Sequence, residues 1–165
     1  MHENTLHKDP INNFFQMEYV HDIKSYRSRV AGKEYDPDSY TCYDYSSDLI
    51  RELRSLLPYP GYSVGLVATG EIIPKDLSVK TNSTGLNYDE GHGMVLITLH
   101  DNSQGVLMEP QMNNANWLVN DPLGKNDNMS EIIINHLKSN IDYPPDFQFE
   151  DVRFGVLFTA PNETA

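Results

Sequence analysis

Apolar positions first recur at helical spacing. Phe15, Tyr19, Ile23, Tyr26 and Val30 mark one face, with Asp9-Pro10 supplying an N-cap and a first-turn proline and Gly32 a stop. This pattern predicts one helix from about residue 10 to residue 31. Residues 33–40 form a loop about Asp36-Pro37, and Thr41 then fits an N-cap with Asp44 three residues on, a capping-box pair. Leu49, Leu53, Leu56 and Leu57 give a second helix its apolar stripe, and Pro58, Pro60 and Gly61 end it. The period then shortens. Residues 62–68 read as a strand, 77–80 as a short one, 94–100 as a clear one, 101–105 as a turn and 106–109 as its return. Residues 117–119 fit a short edge strand. A helix on Ile132, Ile133 and Leu137 begins near Asp127 or Asn128, and a last strand covers 152–159. Helices first and mostly antiparallel strands afterwards predict an α+β fold.

At 165 residues one domain is expected, over residues 9–160, with flexible ends at 1–8 and 161–165. The N-terminus has no apolar run of the kind a signal peptide carries. The longest apolar stretches fall far short of a membrane span, so no membrane insertion is expected. Twenty-four acidic against 12 basic residues give a net charge of −12. No Lys/Arg cluster is present to displace counterions, which argues against a nucleic-acid partner. Arg27, Arg29 and Arg51 lie on amphipathic helices beside acids, which predicts solvated helix faces. Three Asn-x-Ser/Thr triplets, at Asn82, Asn128 and Asn162, are expected by chance in an Asn-rich chain. A single cysteine excludes an internal disulfide and leaves the compartment open, cytoplasmic or extracytoplasmic. There is no Cys pair, no His-x-x-x-His and no calcium-loop or phosphate-loop spacing, so no metal or cofactor is expected.

That cysteine, Cys42, falls at the first position of the second helix. A thiolate is the attacking species in cysteine chemistry, and the unpaired N–H groups and dipole of a helix start favour negative charge there. Asp44 opposes this, less so if its carboxylate is engaged in the capping box. The bland alternative is a small buried hydrophobe. His92 opens a strand between Gly91 and Gly93, where small neighbours allow close approach, whereas His100 borders the turn at the other end. A general base needs a group to orient it. Glu109, ending the next strand before Pro110, is the first choice, and Asp121 is the rival. Simple hairpin counting about residue 103 sets Glu109 nearer Ile97 than His92, so the pairing requires a shifted turn or a bulge.

These residues resemble the transglutaminase-like superfamily of papain-like cysteine enzymes. Cys42 begins a helix that runs to Leu57. A turn and the strand Gly61-Tyr62-Ser63-Val64 follow, then Gly91-His92-Gly93-Met94-Val95, then Val106-Leu107-Met108-Glu109-Pro110. The likeness spans roughly residues 38–111. Met94 stands where an aromatic is usual, and Glu109 stands for the expected Asp. Alternatively Trp117 to Asp121-Pro122 is the family's closing strand and 101–116 an insertion. No upstream residue is placed beside the oxyanion; Gln16 qualifies only by type. The resemblance implies a papain-like core with Cys42, His92 and Glu109 as catalytic residues. It also implies acyl transfer or hydrolysis through a thioester on a polypeptide or peptide-like amide, or a catalytically inactive relative that binds protein. Eight of the ten tyrosines lie in residues 19–62, where they could line a groove or pack the first helices.

Overall fold

A computed structural model describes residues 9–36, 38–58, 61–71, 92–122, 128–140 and 152–158. Their elements are α1 (Pro10–Phe14), α2 (Met17–Ala31), α3 (Cys42–Leu56), β1 (Tyr62–Glu71), β2 (His92–Leu99), β3 (Gln104–Met108), β4 (Asn116–Asn120), α4 (Met129–Asn140) and β5 (Val152–Phe158). The strands form one sheet in the order β4-β3-β2-β1-β5, and every pairing in it is antiparallel. The α+β arrangement is therefore present, with the helices α1–α3 preceding the sheet. The strand expected at 77–80 lies outside the described residues.

The period of two along each strand divides the core between the two faces of the sheet. On one face Val64, Val95, Ile97, Val106 and Met108 pack against Ile11, Ile23, Leu49 and Leu53 from α1–α3. On the other, Val67, Met94, Leu96, Leu107 and Val119 pack against Met129, Ile133 and Leu137 of α4. Because both faces of the sheet are covered, β2 is a nearly continuous buried run rather than an alternating one. Of the leucine stripe on α3, Leu49, Leu53 and Leu57 are buried and Leu56 lies at its margin.

The single N-terminal helix expected from periodicity is two helices. Asp9 caps α1, its Oδ1 accepting from Ile11 N at 3.0 Å. Phe15 then turns to extended backbone (φ −96°, ψ 153°), and Gln16 opens α2 without a side-chain cap. The break lets Phe15 leave the helical stripe and enter an aromatic cluster, its ring 4.9 Å from Phe14 and 5.7 Å from Tyr62. Burying Phe15 there compensates for interrupting the backbone ladder. Arg27 also departs from expectation. It is 1 % exposed, whereas Arg29 and Arg51 do sit at the surface in ion pairs with Glu52 and Asp48.

Two local devices set the strand ends that matter for the site. The β2–β3 turn closes about Asp101-Asn102, with Asn102 in the left-handed region at φ 60° and its N–H on Leu99 O at 2.8 Å. The ladder pairs Thr98 with Gly105 and Val95 with Met108 without a bulge. This register places Glu109 across from Met94, diagonal to His92, and is the shifted turn that hairpin counting required. On the outer side of β4, the side chain of Asn128 accepts from Asn120 N at 3.1 Å and donates to Leu118 O at 3.4 Å. The nitrogen of the Asn128 triplet is thus engaged with the strand.

At Gly93 the strand β2 comes close to α3. A Cβ there would lie 2.9 Å from Tyr43 Cδ1 and 3.3 Å from Ser46 Oγ. Gly93→Ala should therefore cost about 1–3 kcal/mol of stability by overpacking. Combining it with Tyr43→Ala should recover a large part of that loss, giving a favourable coupling in a denaturant double-mutant cycle. Strict additivity would mean that the two elements do not bear on each other at this glycine.

Candidate active site

Cys42 is delivered by its cap. Thr41 N donates to Asp44 Oδ2 at 2.8 Å in a complete capping box, so the Asp44 carboxylate is engaged at the helix start. The thiol faces the first residues of β2, where Gly93 N donates to Cys42 Sγ at 3.3 Å. The missing Cβ of Gly93 makes this approach possible. Cys42 is 2 % exposed.

His92 is the residue before Gly93 and points to the opposite face of the sheet, as alternation requires. Its Nε2–H donates to Glu109 Oε1 at 2.5 Å. The Cys42 side chain is among the groups that raise this ring. Burial favours the neutral ring, but the Glu109 charge and the hydrogen bonds from Cys42 and Glu109 outweigh it, and His92 is raised to about 10. For Glu109 burial favours the protonated acid, yet the charge of His92 and hydrogen bonds from His136 and His92 win, holding the carboxyl down at about 2.

Sequence reasoning passed over two side chains of this cluster. His136 on α4 is buried, and its Nε2–H donates to the same Glu109 oxygen at 2.9 Å. Its position three residues after Ile133, on the buried stripe of α4, is the signal that could have found it. Arg27 is the other. It is not on a solvated face: its guanidinium donates to the carbonyls of Glu109 at 3.0 Å and Met112 at 2.5 Å, and also to that of Asn113. Burial lowers Arg27 to about 10, against the raising effects of Glu109 and Asp9. It clamps the backbone from Glu109 to Asn113, and Glu109 N on Ala115 O at 3.0 Å closes the same loop. The second carboxylate oxygen, Oε2, accepts from Gln111 N at 3.2 Å.

The other candidates lie elsewhere. Asp121 is exposed at the opposite end of β4, with φ 48° and its N–H on Ser103 O at 2.9 Å. Gln16 is exposed at the α1–α2 break, and His100 is exposed beyond the far end of β2. Among the tyrosines, Tyr45 and Tyr62 are buried packing residues, and Tyr45 donates to Lys33 O at 2.5 Å.

His92, Glu109 and His136 each offer a ligand-type atom, all within 4.8 Å of one another. Cys42 is not a member of that trio. Atoms bound to one zinc at ~2.0–2.1 Å stand about 3.3 Å apart in a tetrahedron. The separations of 2.5 and 2.9 Å on Glu109 Oε1 are those of shared protons. No helix among the described residues is long and apolar enough to cross a membrane. No protein-family model, curated protein or solved structure matches the chain.

The two shifts predict a window of pH. Glu109, depressed to about 2, stabilises the fold above the ordinary carboxylate value of about 4.3, and the gain is lost as pH falls through 2. His92, raised to about 10, stabilises below its ordinary value of about 6.5, and that gain is lost as pH rises through 10. The stability difference between wild type and Glu109→Gln should therefore be largest between about pH 4.3 and 6.5 and shrink on both sides. It should reach about 3–5 kcal/mol for a broken buried pair. Thermal melts across pH 3–10 check this; a difference that does not vary with pH would contradict it.

Proposed function

We propose that the chain is a cysteine acyl-transfer enzyme of papain-like, transglutaminase-like type, acting on a polypeptide or peptide-like amide. The observation that carries this reading is a buried imidazole–carboxylate pair, His92 Nε2 on Glu109 Oε1 at 2.5 Å, next to a helix-start thiol that accepts from Gly93 N at 3.3 Å. Supporting it, the Cys42 side chain bears on the same ring.

In the resting pair the proton of the thiol already sits on His92 Nδ1, so a thiolate stands beside an imidazolium. Glu109 holds the ring in the tautomer that leaves Nδ1 to the thiol and balances the positive charge. The thiolate attacks the carbonyl carbon, forming a C–S bond while the carbonyl electrons move to oxygen. N–H groups at the start of α3 would receive that oxyanion. The C–N bond then breaks, and His92 gives its proton to the leaving amine. In the second half His92 takes a proton from water or an acceptor amine, which attacks the thioester. The free thiol returns with an acid or a new amide as product. The net charge of −12 favours substrates that are neutral or basic over polyanions.

A second reading is a papain-like domain that binds polypeptide without turnover. The observation favouring it is burial, since Cys42 is 2 % and His92 0 % exposed. Mass spectrometry of the protein incubated with a peptide library separates the two. Under acyl transfer, a thioester adduct maps to Cys42, disappears in Cys42→Ala and forms about 10²–10⁴-fold more slowly in His92→Ala. No adduct with any peptide, together with equal peptide binding by wild type and Cys42→Ala, would establish the binding module instead.

A further inference from the structure

We propose that His136 is a positioning residue of this site: its Nε2–H holds the Glu109 carboxylate against His92 and keeps the proton between those two groups on His92. The proposal deepens, and rests on, the reading of Cys42, His92 and Glu109 as an acyl-transfer site.

The tautomer of His136 follows from its neighbours. Asn140, one turn further along α4, places Nδ2 2.9 Å from His136 O and 3.1 Å from His136 Nδ1. A backbone carbonyl only accepts, so the Asn140 amide must point its NH₂ group toward both atoms. Nδ1 of His136 therefore carries a lone pair, and its ring proton sits on Nε2, facing Glu109 Oε1 at 2.9 Å. Trp117 fixes the ring plane from the side, edge-on at 4.9 Å between centroids.

A buried carboxylate 2.5 Å from an imidazolium can collapse to a neutral acid and a neutral ring, since a low dielectric disfavours separated charge. The thiolate of Cys42 would then face an uncharged His92 and lose its counter-charge. Hydrogen bonds to the ionised carboxylate oppose that transfer. Among the described residues Glu109 has three donors: His92 and His136 on Oε1 and Gln111 N on Oε2. Among the described residues, the titratable and charged groups around it come from every packed element. They are Cys42 from α3, Arg27 from α2 on the Glu109 carbonyl, His92 from β2 and His136 from α4. Among the described residues that donate to the carboxylate itself, only His136 is a side chain outside the proposed triad.

Ring ¹⁵N NMR of histidine-labelled protein across pH tests this in wild type, His136→Leu and His136→Gln. In wild type, His136 should show a protonated Nε2 and an unprotonated Nδ1, a measurement that needs no variant. His92 should lose its second ring proton at least one pH unit lower in His136→Leu than in wild type, a tenfold or greater loss of proton affinity. His136→Gln, which can still present an N–H to Glu109, should recover most of that shift. A residue that merely fills space would give the opposite order, with Leu tolerated and Gln not. A wild-type His136 protonated on Nδ1 alone, or a His92 titration unmoved in His136→Leu, overturns the proposal. The rate of Cys42 alkylation by iodoacetamide, measured on the same samples, separates the two claims. An unreactive Cys42 with the expected ring signals removes the acyl-transfer reading and leaves the positioning of Glu109 standing. A reactive Cys42 whose pH profile is identical in His136→Leu and wild type removes the positioning role alone.

Discussion

The buried carboxylate of Glu109 is the constraint around which the rest of this structure is arranged. A fully desolvated carboxylate is costly unless donors surround it, and here the donors are drawn from different parts of the fold. His92 comes from the start of β2, His136 from α4 on the far face of the sheet, and Gln111 N from the loop that follows. The main chain of Glu109 is held from the helical face by Arg27. One residue thus ties both helical layers to the sheet between them. Its ionised state is stable only while the fold supplies those partners, so the electrostatics of the site and the packing of the layers depend on each other.

The position of the thiol obeys a different rule. Cys42 is set by local chemistry: a threonine cap, an aspartate returning to it, and a glycine across from it that lets the helix come down onto β2. The His92 ring comes from the residue before that glycine. Neighbouring strand residues face opposite sides of the sheet, so the thiol lies against Gly93 N on the α3 side while the imidazole is turned toward His136 of α4.

Local patterns were the legible part of the sequence. The cap at Thr41, the leucine stripe of α3 and the apolar runs of β2 and β3 each depend on residues within a few positions of one another, and each element is present. The break at Phe15 was not legible, because the ring leaves the stripe to join Tyr62, nearly fifty residues away. Arg27 was unreadable for a sharper reason. Its acceptors are main-chain carbonyls 82–86 residues downstream, and a carbonyl has no identity in a sequence. Acids near Arg27 in the chain pointed to solvent when the structure places the guanidinium inside. His136 lay within reach of sequence reasoning, for the Ile133 spacing marks the buried face, but nothing in the chain paired it with Glu109. The hairpin register turned on Asn102 alone, whose left-handed conformation closes the turn earlier than symmetrical counting allows.

The amide of Asn128 lies against the outer side of β4, bonded to Asn120 N and Leu118 O. These are a donor and an acceptor that a further strand would otherwise claim. A single side chain thus imitates the first step of a ladder and occupies it. For a sheet whose outermost strand also exposes Leu118, this is protection against self-association. A foreign strand approaching that side must first displace a satisfied amide, so lateral growth of the sheet into aggregates is opposed at the register where it would begin.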